Sequence, residues 1–156
     1  MKPRARRREV SSGPAAFVLA VWLLASAGCQ HPPLEPVHSD LEEADGNFRL
    51  YVSNQSFAID PVDIRVWIDD IPVICQYFKV GNQHNWQLFR FALDDGEHRI
   101  KAATEKGDAT LEQTFTVEGD RWAVLDYWYY PGVDGGADPT PPHFSFSVHD
   151  EQVYFM

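Results

Sequence analysis

The sequence predicts an all-β sandwich of about eight strands over residues 47–156, and three observations carry that reading. Apolar and polar residues alternate with a period of two from Asn47 onward. Turn-forming residues interrupt the alternation at short intervals, and no stretch between them carries a convincing helical period. Eight short strands without intervening helices favour two packed sheets over a closed barrel.

The first strand is expected near 47–54, where Phe48, Leu50 and Val52 alternate with Arg49, Tyr51 and Ser53. The second, near 62–69, alternates Ile64, Val66 and Ile68 with Arg65, Trp67 and Asp69. Asp69-Asp70 is a turn pair, and a third strand follows near 73–80 up to Gly81-Asn82. Phe89, Phe91 and Leu93 mark a fourth near 86–93, closed by Asp94-Asp95-Gly96. A fifth near 97–104 and a sixth near 110–117 flank the turn Lys106-Gly107-Asp108, the sixth alternating Leu111, Phe115 and Val117 with polar residues. After Glu118-Gly119-Asp120 come strands near 121–130 and 143–149, and residues 152–155 offer a short terminal one.

The seventh strand, from Arg121 to Tyr130, lacks clean alternation and carries large apolar groups on both faces, as a central or covered strand does. Trp122, Val124 and Trp128 share one face by parity, and Leu125, Tyr127 and Tyr129 the other. Trp122 is expected in the core, with Trp128 either there or on the surface. Asp126 is the exception within this strand: burying it unpaired would cost several kcal/mol, so it needs hydrogen-bond donors or an arginine. Cys75 is expected as a small free thiol packed in the core.

The run Leu93-Asp94-Asp95-Gly96-Glu97-His98-Arg99-Ile100, followed by Gly107 and Thr114-Phe115-Thr116-Val117, resembles a hairpin of immunoglobulin-like and PEGA-type extracytoplasmic modules. The resemblance covers about 25 residues. It implies an antiparallel immunoglobulin-like sandwich acting as a non-catalytic accessory or recognition module, and it supplies no site residues.

Ahead of this domain the chain changes character. Residues 1–28 carry five bases against Glu9 alone, +4, whereas residues 29–156 carry eight bases against 22 acids, −14, for the overall −10. A basic start followed by the apolar run Ala15 to Ala27 has the layout of a secretory signal peptide. As a helix that run would span about 20 Å, short of a bilayer core of about 30 Å. Ser26-Ala27-Gly28-Cys29 resembles the lipobox of bacterial lipoproteins, with Ser26 standing where the family carries a bulky aliphatic. The resemblance implies cleavage after residue 28 and lipid attachment to Cys29, which would tie the protein to a membrane. Gln30, in place of Asp, implies the outer membrane where the envelope has two. Arg7-Arg8 resembles a twin-arginine signal, but Glu9-Val10-Ser11 does not continue it, so general secretion is expected. Residues 29–46 then read as a tether, with three prolines from Pro32 to Pro36 and four acids from Asp40 to Asp45. A short helix at 40–44 capped by Ser39 is the one element it offers.

The acidic balance argues against a nucleic-acid partner, since phosphate binding needs clustered Lys and Arg. Two cysteines are too few for a disulfide framework or a four-cysteine zinc site. The sequence has no G-x-S-x-G elbow, no P-loop and no G-x-G-x-x-G. Binding candidates are aromatic. Trp67 shares a polar face with Arg65 and Asp69, Trp86 follows His84-Asn85, and Trp128-Tyr129-Tyr130 runs into Pro131-Gly132. Flat rings beside Asp, Asn and Gln suit sugar stacking, although large aromatics also fill ordinary cores. The glycine-rich segment 132–139 resembles a calcium loop in composition, with Asp134 and Asp138 as candidate ligands, but lacks EF-hand spacing. His84, His98, His143 and His149 are too scattered for a metal signature, and His31 and His38 could ligate a metal but, as tether histidines, are expected to be solvated.

The expectation is therefore a membrane-tethered, extracytoplasmic lipoprotein. Its sandwich would be a non-catalytic binding or structural module needing no cofactor, with an envelope protein or glycan as partner. One alternative is a carbohydrate-binding module using Trp67, Trp86, Trp128 and Tyr130. A second is a small hydrolase using the available Asp and His residues.

Overall fold

The computed structural model describes residues 34, 37, 39–83, 85–132 and 138–155. Cys29, His31, His38, His84 and Asp134 lie outside the described residues. Within them the chain forms eight strands and no helix: β1 (Phe48–Asn54), β2 (Val62–Ile68), β3 (Ile71–Phe78), β4 (Gln87–Phe91), β5 (Gly96–Thr104), β6 (Ala109–Val117), β7 (Arg121–Tyr130) and β8 (Thr140–His149). Two four-stranded sheets, ordered β4-β1-β7-β8 (sheet 1) and β3-β2-β5-β6 (sheet 2), form the predicted β-sandwich.

All strand pairs are antiparallel except β1 and β7, which run parallel from Phe48 opposite Arg121 to Asn54 opposite Tyr127. The alternation read from the sequence selects the core. Phe48, Leu50 and Val52 of β1 meet Val62, Ile64, Val66 and Ile68 of β2, Ile100 of β5 and Leu125 of β7, all of them fully buried. Phe115 of β6 stacks on Phe48 at 4.9 Å and meets Phe146 of β8 edge-on at 5.7 Å, closing the side where β6 and β8 approach.

Strands alternate in direction along the chain, so the connections divide between two ends. Residues 55–61, 79–83, 85–86, 105–108, 131–132 and 138–139 lie at one end, and the short turns 69–70, 92–95 and 118–120 at the other. Asp69 and Asp70 both have positive φ, 51° and 67°, which suits a two-residue hairpin turn and starts β3 at Ile71, earlier than the alternation implied. The chain enters at the short-turn end, where Asn47 Nδ2 donates to Leu93 O and Arg121 N donates to Asn47 O.

Four local expectations change. The stretch 39–46 forms turns in place of a helix, although Ser39 Oγ does accept from Leu41 N. This stretch lies along β4: Glu43 N donates to Arg90 O, Ala92 N donates to Leu41 O, and Leu41 packs on the core. Its acidic side chains stay exposed, while Gly46 is buried where a Cβ would collide with the Phe91 backbone at 2.4 Å. It shields the outer edge of β4, an edge that would otherwise be open to further pairing. Residues 152–155 form no strand.

Trp122 is not in the core. Ala123, Leu125 and Tyr127 form the buried face of β7, leaving Trp122, Val124, Asp126 and Trp128 on the outside of sheet 1. Trp122 lies half-buried beneath the Arg49 guanidinium, 4.9 Å from its ring centre, and Arg49 is held by Asp120 at 3.0 Å. Cys75 is also outside the core. It is a partly exposed free thiol opposite Arg65 on the outer face of sheet 2.

Candidate functional site

Ladder register places a polar and aromatic set on the outer face of sheet 1, towards the long-loop end. Ser53 of β1 lies opposite Asp126 of β7, which in turn lies opposite Ser145 of β8. Asp126 is 9% exposed, and its partners come from side chains rather than an arginine. Ser53 Oγ donates to Asp126 Oδ1 at 2.5 Å and Trp86 Nε1 donates to the same oxygen at 2.9 Å. Gln55 Nε2 donates to Ser53 Oγ at 2.7 Å, extending the chain of bonds inward. Asp126 Oδ2 accepts from no described residue. Burial raises the Asp126 pKa above the ordinary carboxylate range, and the two donors only partly oppose it.

Trp86 sits just before β4, with its indole N–H committed to Asp126. Phe155 stacks on its ring at 4.0 Å and 15°, and meets Tyr51 edge-on at 5.0 Å. Such ring pairs add about 0.5–1.5 kcal/mol beyond the burial of their area. Further along β7, Trp128 Nε1 donates to Ser145 Oγ at 3.0 Å, and the Trp128 and Tyr130 rings lie 6.3 Å apart. Tyr130 Oη donates to Gln55 O at 2.9 Å, while Gln83 Nε2 donates to both Tyr130 Oη and Gln55 O. Gln83 holds this position with φ of 64°, a left-handed conformation uncommon outside glycine.

Three of the four aromatic candidates, Trp86, Trp128 and Tyr130, therefore share one sheet face. Trp67 does not join them. It lies on the outside of sheet 2, in a shallow groove of about 510 Å³ lined by Asp70, Lys101, Ala103, Thr110 and Glu112. The charges there are spent on one another: Asp70 takes Lys101 Nζ at 2.7 Å and Arg99 at 2.5 Å, and Arg99 also reaches Glu112. Ser53, Gln55, Gln83 and Phe155 were missed as site residues. Ser53 and Gln55 follow an ordinary strand alternation, and only the register against β7 gives them a role.

Asp138 is exposed, and among the described residues no three His, Cys, Asp or Glu side chains gather in metal-binding range. His143 and His149 lie opposite Trp128 and Trp122 on β8. His143 Nδ1 is 2.9 Å from Pro141 O, and neither histidine is bonded to Asp126. Comparison with family models, characterised proteins and solved structures finds no match to the chain.

Proposed function

We propose that the chain is an exported, lipid-anchored protein of the bacterial cell envelope whose sandwich is a non-catalytic binding module. Cys29 would carry the lipid, with the outer membrane as its destination where two membranes exist. The supporting observation is the aromatic and acidic face of sheet 1. It gathers Trp86, Trp128, Tyr130 and Asp126 towards the long-loop end, opposite the end where the chain enters. By the register, six residues at about 3.3 Å each separate the Phe48–Arg121 row from the Asn54–Tyr127 row, so the end where the chain enters β1 and the binding side are about 20 Å apart.

A binding role fits the chemistry better than hydrolysis. Asp126 uses Oδ1 to fix Trp86 and Ser53, and among the described residues no histidine or second carboxylate is bonded to it. The convergence of three aromatic residues with a buried carboxylate favours a glycan over a protein partner, because sugar C–H faces stack on rings while hydroxyls bond to acids. The membrane attachment is tested by labelling cells with radioactive palmitate. Wild type incorporates label and Cys29→Ser does not, accumulating as uncleaved precursor. Normal labelling of Cys29→Ser would refute the anchor assignment.

A further inference from the structure

The segment 150–155 leaves the end of β8 and turns back over the outside of sheet 1, reaching Tyr51 on β1 and Trp86 before β4. Among the described residues, no hydrogen bond or ion pair joins 151–155 to the sandwich. Tyr154 Oη bonds within the segment, to Gln152 Oε1, and Tyr154 itself is 79% exposed. The segment is held by apolar contact alone, with Val153 half-buried and the Phe155 ring laid flat on Trp86 and edge-on to Tyr51.

The ring under it is built differently. Trp86 is fixed by its N–H bond to Asp126, and Asp126 is fixed by Ser53, which Gln55 supports. A rigid stacking surface thus lies beneath a weakly attached cover. Beside it is a 91%-buried carboxylate whose second oxygen accepts from no described residue. A flat ring carrying hydroxyl groups would match both features, with one face on the indole and one hydroxyl donating to Asp126 Oδ2.

We propose that Trp86 and Asp126 form a subsite for a pyranose ring, and that Phe155 is a displaceable strap occupying it in the ligand-free protein. This rests on the reading of the sheet 1 face as the binding face. A site open only part of the time binds with an apparent Kd raised by the inverse of its open fraction. Removing the strap therefore tightens binding without adding any contact.

The test uses the full-length protein and immobilised chito-, cello- and manno-oligosaccharides together with peptidoglycan fragments. A phenylalanine-containing hexapeptide serves as the competing chemistry. Phe155→Ala should bind at least one of the sugars about tenfold more tightly than wild type, the gain that loss of ring contacts of this size allows. Trp86→Leu, chosen to keep bulk and checked for an intact β-sheet circular dichroism spectrum, should lose that binding. So should Asp126→Asn, which keeps the internal bonds but replaces Oδ2 with a donor. Equal sugar binding by wild type and Phe155→Ala, lost in Trp86→Leu, would overturn the strap and leave the binding face standing. Hexapeptide binding without sugar binding would overturn the ligand class. Sugar binding lost in Trp67→Ala but kept in Trp86→Leu would overturn both the subsite and the choice of face.

Discussion

Replacing Asp126 separates two roles of one carboxylate, acceptor and buried charge. In Asp126→Ala, Ser53 Oγ and Trp86 Nε1 both lose their acceptor. Ser53 is fully buried and Trp86 half-buried, and an orphaned donor costs about 1–3 kcal/mol depending on its burial. Relief of the carboxylate's own desolvation offsets part of this, leaving a net loss of about 2 kcal/mol, or roughly 8 °C in Tm for a domain of this size. Asp126→Asn keeps an oxygen at the Oδ1 position for both donors. Its amide nitrogen takes the place of Oδ2, which accepts from no described residue. Because burial raises the Asp126 pKa, the folded state binds more protons than the unfolded one between the two pKa values, so wild-type stability falls as pH rises through that window. Asp126→Asn should therefore match or exceed wild type at neutral pH, and its advantage should shrink as pH falls towards ~4, the unfolded value. Thermal melts of the three proteins across that range measure both effects. An alanine variant as stable as the asparagine variant at neutral pH would refute the acceptor argument. An asparagine advantage that did not change with pH would refute the charge argument.

Other perturbations report on other parts of the fold. His98 has Asp69 Oδ2 2.6 Å from Nδ1 and Asp94 O 2.8 Å from Nε2, so both ring nitrogens face acceptors. Burial lowers its pKa, but these two acceptors outweigh it and the net shift is upward. Its stabilisation should be complete below the unfolded value of about 6.5 and lost as pH rises through the folded one, so urea midpoints of wild type and His98→Ala should converge on the alkaline side. Gly107→Ala should cost about 1–3 kcal/mol by overpacking, since a Cβ there meets Tyr127 and Thr104 at 2.7 Å; an unchanged urea midpoint would contradict that packing. Trp122→Ala should cost about 1–2 kcal/mol, short of the ~3–5 of a buried tryptophan, because it forfeits partial burial and one cation–π contact. A loss in the larger range would put Trp122 back in the core.

The strands were legible because each buries one face and alternation registers that directly, as Phe48, Leu50 and Val52 illustrate. In β7 both faces are apolar, so parity grouped Trp122 with Trp128 but could not say which group points inward. The answer depends on neighbours: Arg49 lies opposite Trp122 in the register and covers its ring from outside. The candidate aromatics could be named from their residue types, whereas their meeting with Asp126 could not. Ser53 and Asp126 are 73 residues apart, and only the parallel pairing of β1 with β7 brings them together. Phe155 had the composition of strand residues, and its role as a cover depends on a chain path that leaves no local signature. The acidic residues of 39–46 read correctly as solvated, but Leu41 alone was too small a signal to reveal backbone bonding to β4.

The parallel pair also sets an order of events in synthesis. β1 is an inner strand of its sheet, yet β7 begins at Arg121, 73 residues beyond Phe48 opposite it. Antiparallel neighbours such as β5 and β6 close over a short turn, whereas this pair must bridge most of the domain first. Synthesis from the N-terminus thus delivers β1 long before its second partner arrives, with one side open to wrong pairing. Contacts of this sequence separation slow folding and lengthen exposure to aggregation. Sheet 1 is complete only once nearly the whole chain is available, so β1 keeps one side unpaired through most of synthesis.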